Sequence, residues 1–242
     1  MDNLKYDFAT LFLPWDACVT RNKDLLGAGI DLKEYYNYER IERHEWILTA
    51  LADSIANVGN LSIGTHALFF VGMGFIIEPM IGTLKTQRFI PDPAGRPVGF
   101  EMNPPCVHYL YLDDYVPDQS KPHIVAAFRC PYLRPDALSY APSRVRMTAW
   151  ANGLVDDRLE YGYEAIVKCF DPELPISVKR PDCSMTVAWG FHAEIEEFGL
   201  QCNMPKDWFN INAVTYMCTP YYMQQAFNGL GWGIPLITKS AY

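Results

Sequence analysis

No two cysteines in this sequence stand at a C-x-x-C spacing, although the chain has 7 of them in 242 residues. Cys18, Cys106, Cys130, Cys169, Cys183, Cys202 and Cys218 are odd in number and dispersed. That excludes the dense, even-numbered framework of a small disulfide scaffold and predicts reduced thiols, mostly buried as small hydrophobes. A basic surplus is absent too: 20 Lys and Arg face 28 Asp and Glu, a net charge of −8. Direct nucleic-acid binding, which gathers Lys and Arg against phosphates, is therefore not expected. At the amino terminus Asp2, Asp7, Pro14 and Asp16 interrupt Phe8, Leu11, Phe12, Leu13 and Trp15. Neither a basic n-region nor a clean apolar h-region results. The expected compartment is reducing, either the cytoplasm or a virion.

Catalytic and cofactor signatures are missing as well. There is no G-x-x-x-x-G-K-[ST], G-x-S-x-G or H-E-x-x-H, and Gly72-Met73-Gly74 and Gly229-Leu230-Gly231-Trp232-Gly233 lack the spacing of a dinucleotide fingerprint. The sequence accordingly assigns no catalytic, cofactor-binding or metal residue and no cofactor. Triads are assembled by a fold and not by proximity in sequence, so catalysis is not thereby excluded.

Two stretches lack charge altogether. Ser54 to Ile77 contains no Asp, Glu, Lys or Arg, and Ala67 to Ile77 is apolar throughout. That run is shorter than the roughly 20 residues a spanning helix needs, and no basic cluster flanks it, so core or a subunit interface is expected and membrane contact is not. Trp208 to Thr238 is also uncharged and carries Trp208, Phe209, Tyr216, Tyr221, Tyr222, Phe227 and Trp232. Aromatic and Met residues with depleted charge mark interface centres. This segment reads as an interface or as the last part of the monomer core.

What is present implies an α+β fold. Asp31 with Glu34, and an apolar stripe of Ile41, Leu48, Leu51, Ile55 and Val58 ending at Gly59, predict a helix near 32–58. Beyond Gly82 the pattern is short runs between turn residues: Phe89-Ile90 and Val98-Gly99-Phe100 around a Pro-rich loop, then Cys106 to Tyr115, His123 to Cys130, Val145 to Trp150 and Thr186 to Ile195. The expected organisation is a helical amino-terminal section over 1–60 followed by a β-rich antiparallel sandwich or barrel-like body over 61–242. Residues 154–170 suit either a helix or a strand.

Several side-chain groupings carry chemical possibilities. Cys106 and His108, two apart on a strand, share a face near Asp113 and Asp114. They suggest a thiolate–imidazole pair, or a partial metal site completed by His123 or His192. Asp113-Asp114 and Asp156-Asp157 are candidate carboxylate pairs, while Glu194, Glu196 and Glu197 read as a charged strand edge. Arg144 and Arg146 would share a strand face able to hold an anion. None is specific. The expected function is a structural subunit of a large ordered assembly, of the virion capsid or head–tail kind, with copies of itself and other subunits as partners. The alternatives are a hydrolase with a Cys/His or paired-carboxylate site, and a subunit of a membrane-associated complex.

Overall fold

The apolar run after Thr65 becomes the longest strand among the described residues. In the computed structural model, which describes residues 5–21, 66–103, 105–117, 121–137, 140–162, 180–197 and 220–236, His66–Ile77 forms β2. A short helix, α1 (Phe8–Leu11), and β1 (Asp16–Arg21) precede it. The hairpin β3 (Met80–Ile81) and β4 (Leu84–Lys85), then β5 (Arg88–Pro91), β6 (Arg96–Asn103), β7 (Cys106–Tyr111) and β8 (His123–Phe128) follow. The last elements are α2 (Tyr140–Asp156), α3 (Cys183–Glu197), α4 (Pro220–Gly229) and β9 (Gly233–Ile234).

The main sheet has seven strands in the order β7-β6-β2-β1-β8-β9, with β5 also on β2. Every pairing is antiparallel. Gly74 pairs Arg96 of β6 and Pro91 of β5, so β5 extends the β1 side of the long strand. A bulge lies between Phe70 and Gly72, where Gly72 takes φ +132, a conformation that a side chain would strain.

Alternation along the strands gives the sheet two apolar faces. Ala17, Val19, Phe69, Val71, Val98, Phe100, Val107 and Tyr109 pack with Met147 and Ala151 of α2, Val187 and Phe191 of α3, and Met223 and Phe227 of α4. On the opposite face Cys18, Leu68, Phe70, Leu112 and Ile124 pack with Phe8 and Phe12. Because both faces are covered, the central strands read as continuous apolar runs. The helix α3 lies close to the sheet because Gly190 has no Cβ, which would stand 2.9 Å from the Phe69 ring.

The fold is therefore α+β, with one main sheet, the three later helices on one of its faces and the short α1 on the other. Two segments depart from expectation: Val145–Trp150 and Thr186–Ile195 lie within α2 and α3, not on strands. Residues 181–188 are all buried, so the start of α3 has no wet face and shows no helical period in sequence. No sandwich or barrel is seen: among the described residues the only other sheet is the β3–β4 hairpin. β1, from the first 21 residues, sits between β2 and β8 as part of the same sheet. The helix expected near 32–58 lies outside the described residues.

Candidate active site

One end of the sheet gathers three titratable side chains through register alone. His66 is the first residue of β2, two places from Leu68, which pairs with Glu101 of β6. Glu101 in turn pairs with His108 of β7. Period-two alternation then puts His66, Glu101 and His108 on one face. Glu101 Oε2 lies 2.8 Å from His66 Nε2, and Oε1 lies 3.2 Å from His108 Nε2. Asn103 Nδ2 also donates to Oε1, at 3.2 Å. The carboxylate thus has a partner on each oxygen, as a buried charge requires.

The first turn of α3 reaches the same end. Asp182 is its N-cap: Oδ1 accepts the backbone N–H of Met185 at 2.8 Å and the Ser184 hydroxyl at 3.0 Å. Its carbonyl takes the N–H and hydroxyl of Thr186 at 3.1 and 2.8 Å. This cap fixes the start of the helix and places Cys183 in its first turn. The Cys183 side chain stands near enough to His66 to interact with its imidazole. His66 therefore has Glu101 on one side and a thiol on the other, while Cys183, His66 and Glu101 are 5 %, 2 % and 4 % exposed.

The electrostatics follow from this packing. Burial works against charging His66, but Cys183 and Glu101 both favour the imidazolium and push it up to about 10. Burial likewise opposes ionisation of Glu101, yet His66 and His108 outweigh it and hold the carboxyl well below its usual range. Burial disfavours a charged His108 also, and the bond to Glu101 reverses the sign and raises it. Asp182 is raised to about 6 because burial outweighs the Met185 and Ser184 bonds and the pull of His66.

The pairings expected from sequence are assembled differently. His108 does join the cluster, but its Nδ1 meets the carbonyl of Cys106, at 2.9 Å, and its Nε2 meets Glu101. His123 Nδ1 lies 2.9 Å from the Lys121 carbonyl. Asp113 is paired with Arg96, and Asp156 with Arg88 and Thr86. Arg144 lies over the Tyr140 ring and Arg146 donates to Ser143, both on α2. The stretch holding Glu194, Glu196 and Glu197 is helical. Among the described residues no group of three or more His, Cys, Asp or Glu is arranged to hold a metal ion. Cys18, Cys106, Cys130 and Cys183 are reduced thiols.

Cys183, His66 and Glu101 went unnoticed in sequence because they lie far apart along the chain. The usable signal was Pro181-Asp182 before an apolar run, a helix-start pattern that would have put Cys183 in a first turn. No helix among the described residues is long and apolar enough to cross a membrane. No family model, no curated protein and no solved structure matches this chain.

Proposed function

We propose that the protein is a thiol-dependent acyl hydrolase or acyl transferase, with Cys183 as nucleophile, His66 as general base and acid, and Glu101 as the group that orients His66. The observation that carries the reading is an imidazole bonded to a buried carboxylate and interacting with a thiol in the first turn of a capped helix. A nucleophile, its base and an orienting third group are the parts of a catalytic triad, which recurs on unrelated folds. This replaces the expected Cys106–His108 pair with different residues on the same chemistry.

The steps follow from the geometry. His66 takes the proton of Cys183, and Sγ attacks the carbonyl carbon of an amide, ester or thioester. The tetrahedral adduct collapses as His66 returns that proton to the departing amine, alcohol or thiol, leaving an acyl-cysteine. A water, deprotonated by His66, attacks the acyl carbon, and the thiol leaves with the proton. Throughout, Glu101 keeps Nε2 of His66 protonated, so the other nitrogen is the one that handles protons. Quenching a reaction with a short-chain aryl ester at low pH, followed by peptide mass spectrometry, should find the acyl group on Cys183, and Cys183→Ser should lose both adduct and turnover. An acyl group elsewhere, or none in a protein that turns the ester over, would refute it.

A second reading keeps the chain as a subunit of a large ordered assembly, of the virion capsid or head–tail kind. Its basis lies at the opposite end of the sheet: Phe75, Ile77 and Ile90 are between 42 % and 45 % exposed, with Phe75 directly across from Ile90. Soluble monomers rarely expose such groups together. Phe227 and Trp232, by contrast, are stacked at 5.2 Å in the core of the monomer. Sedimentation should therefore show higher-order species that Phe75→Asp abolishes and Trp232→Ala leaves intact in the folded fraction. The two readings concern opposite ends of the sheet and are compatible.

A further inference from the structure

Of the four side chains in the cluster, His108 alone reaches water appreciably, with 32 % of its side chain exposed against 4 % for Glu101. Its two ring nitrogens face two acceptors. Nδ1 lies 2.9 Å from the carbonyl oxygen of Cys106, and Nε2 lies 3.2 Å from Oε1 of Glu101. A carbonyl and a carboxylate offer only lone pairs, so both contacts are hydrogen bonds only if both nitrogens carry hydrogen. A neutral His108 would set one bare nitrogen lone pair against an oxygen lone pair.

We infer that His108 is a positioning residue for the Cys183–His66 pair: as a doubly protonated ring it holds Oε1 of Glu101, so that Oε2 stays aimed at His66. Loss of one proton at the surface removes the positive charge beside that oxygen, and the negative charge of Glu101 then turns more fully to His66. The state of the buried dyad thus follows the pH of the solvent through one carboxylate. The groups that face this relay are His66 from β2, Glu101 from β6, Cys106 from β7, Cys183 and Asp182 from the start of α3, and Tyr115, whose phenol senses Glu101. Glu160, bridged by backbone to Cys106, is already neutralised by Arg180 at 2.9 Å. Asn103 also holds Oε1 but cannot titrate.

That the relay governs catalysis rests on the hydrolase reading; that it exists does not. The test uses the full chain labelled with 15N and long-range proton–nitrogen spectra of the imidazoles between pH 5 and 10. In the wild type both ring nitrogens of His108 should show the shifts of an imidazolium at pH 7. His66 should show a small step at the pH where His108 loses its proton, besides its own titration at higher pH. His108→Gln keeps a donor toward Glu101 but cannot titrate, so the small step should vanish while the main titration of His66 persists. A neutral His108 ring at pH 7 in the wild type overturns the inference without any variant. So does a small His66 step that survives His108→Gln. An inert Cys183 would sink the hydrolase reading and leave these spectra unaffected.

Discussion

Two carboxylates are buried in the same sheet, and the groups that neutralise them differ in kind. Asp16, at the start of β1, is fully buried and is held by Arg129, whose Nε and Nη2 donate to its two oxygens at 2.8 and 2.6 Å. The backbone N–H of Leu13 adds a third bond at 2.7 Å. Glu101 is held by two imidazoles and an amide. Arg129 keeps its proton at any pH a protein meets, so the Asp16 pair locks the start of β1 to the residue that follows β8. An imidazole, unlike a guanidinium, can give its proton up within the pH range a protein meets. The Asp16 pair can therefore only lock structure, whereas the Glu101 group can also exchange protons. Each region also has its thiol. Cys18, two residues from Asp16, is pushed well up by burial and then by the Asp16 charge, whereas Cys183 has a base beside it.

The largest expected effect is on the structural side. Arg129→Ala would strand Asp16 as an uncompensated buried charge, and breaking such a pair costs about 3–5 kcal/mol. Urea denaturation should show that loss, while the folded fraction keeps its Cys183 chemistry. A loss below about 1 kcal/mol would mean that Asp16 is not sealed from water. Glu101→Gln sharpens the comparison from the other side. It leaves His66 and His108 with a poorer partner at a cost of about 1–3 kcal/mol. It should also slow acylation of Cys183 at least about tenfold, since an oriented base is lost.

The stability that Glu101 contributes should follow a definite pH window. His66 is raised from 6.5 to about 10, so its share is complete below pH 6.5 and fades as pH rises toward 10. Glu101 is lowered from 4.5, so its share is complete above pH 4.5 and fades in acid. The difference in melting temperature between wild type and Glu101→Gln should therefore be greatest between pH 4.5 and 6.5 and smaller on both sides. A difference that is flat from pH 4 to 10 would contradict an ionised pair. The smallest effect belongs to Asp182, raised from 3.8 to about 6. Its ionisation costs stability as pH rises through that interval, so Asp182→Asn, which keeps the capping oxygen, should gain on the wild type between pH 4 and 7. Thermal melts at the two pH values read the sign.

The strands were largely legible in sequence because alternation and burial leave marks. Val107 and Tyr109 lie on one face as their spacing requires, and Ala67 to Val71 is buried core, as its lack of charge implied. The helices α2 and α3 were not legible, because β-branched and aromatic residues dominate short windows of both, and because α3 is buried on every side at its start. The site was least legible of all. His66 looked like the polar end of an apolar run, Glu101 like one acid beside Met102, and Cys183 like one of seven dispersed thiols. Register brings the first two together and a capped helix end brings the third, and neither relation has a fixed sequence spacing. Trp232, read as a candidate interface anchor, packs against Phe191 and Phe227 instead, since local composition cannot tell a monomer's own core from a neighbour's.

The measurement that bears most directly on the contrast is a race between the two buried thiols. Native protein is treated with limiting iodoacetamide at pH 6, where an ordinary thiol is almost wholly protonated, and the peptides carrying Cys18 and Cys183 are quantified over time. With 0 % and 5 % of their surfaces exposed, the two begin from similar burial. Cys183 should react at least about tenfold faster, because the His66 imidazolium lies beside it whereas the Asp16 carboxylate lies near Cys18, and Glu101→Gln should remove most of that advantage. Equal rates, or an advantage that survives Glu101→Gln unchanged, would contradict the assignment of Cys183, His66 and Glu101 as a reactive unit.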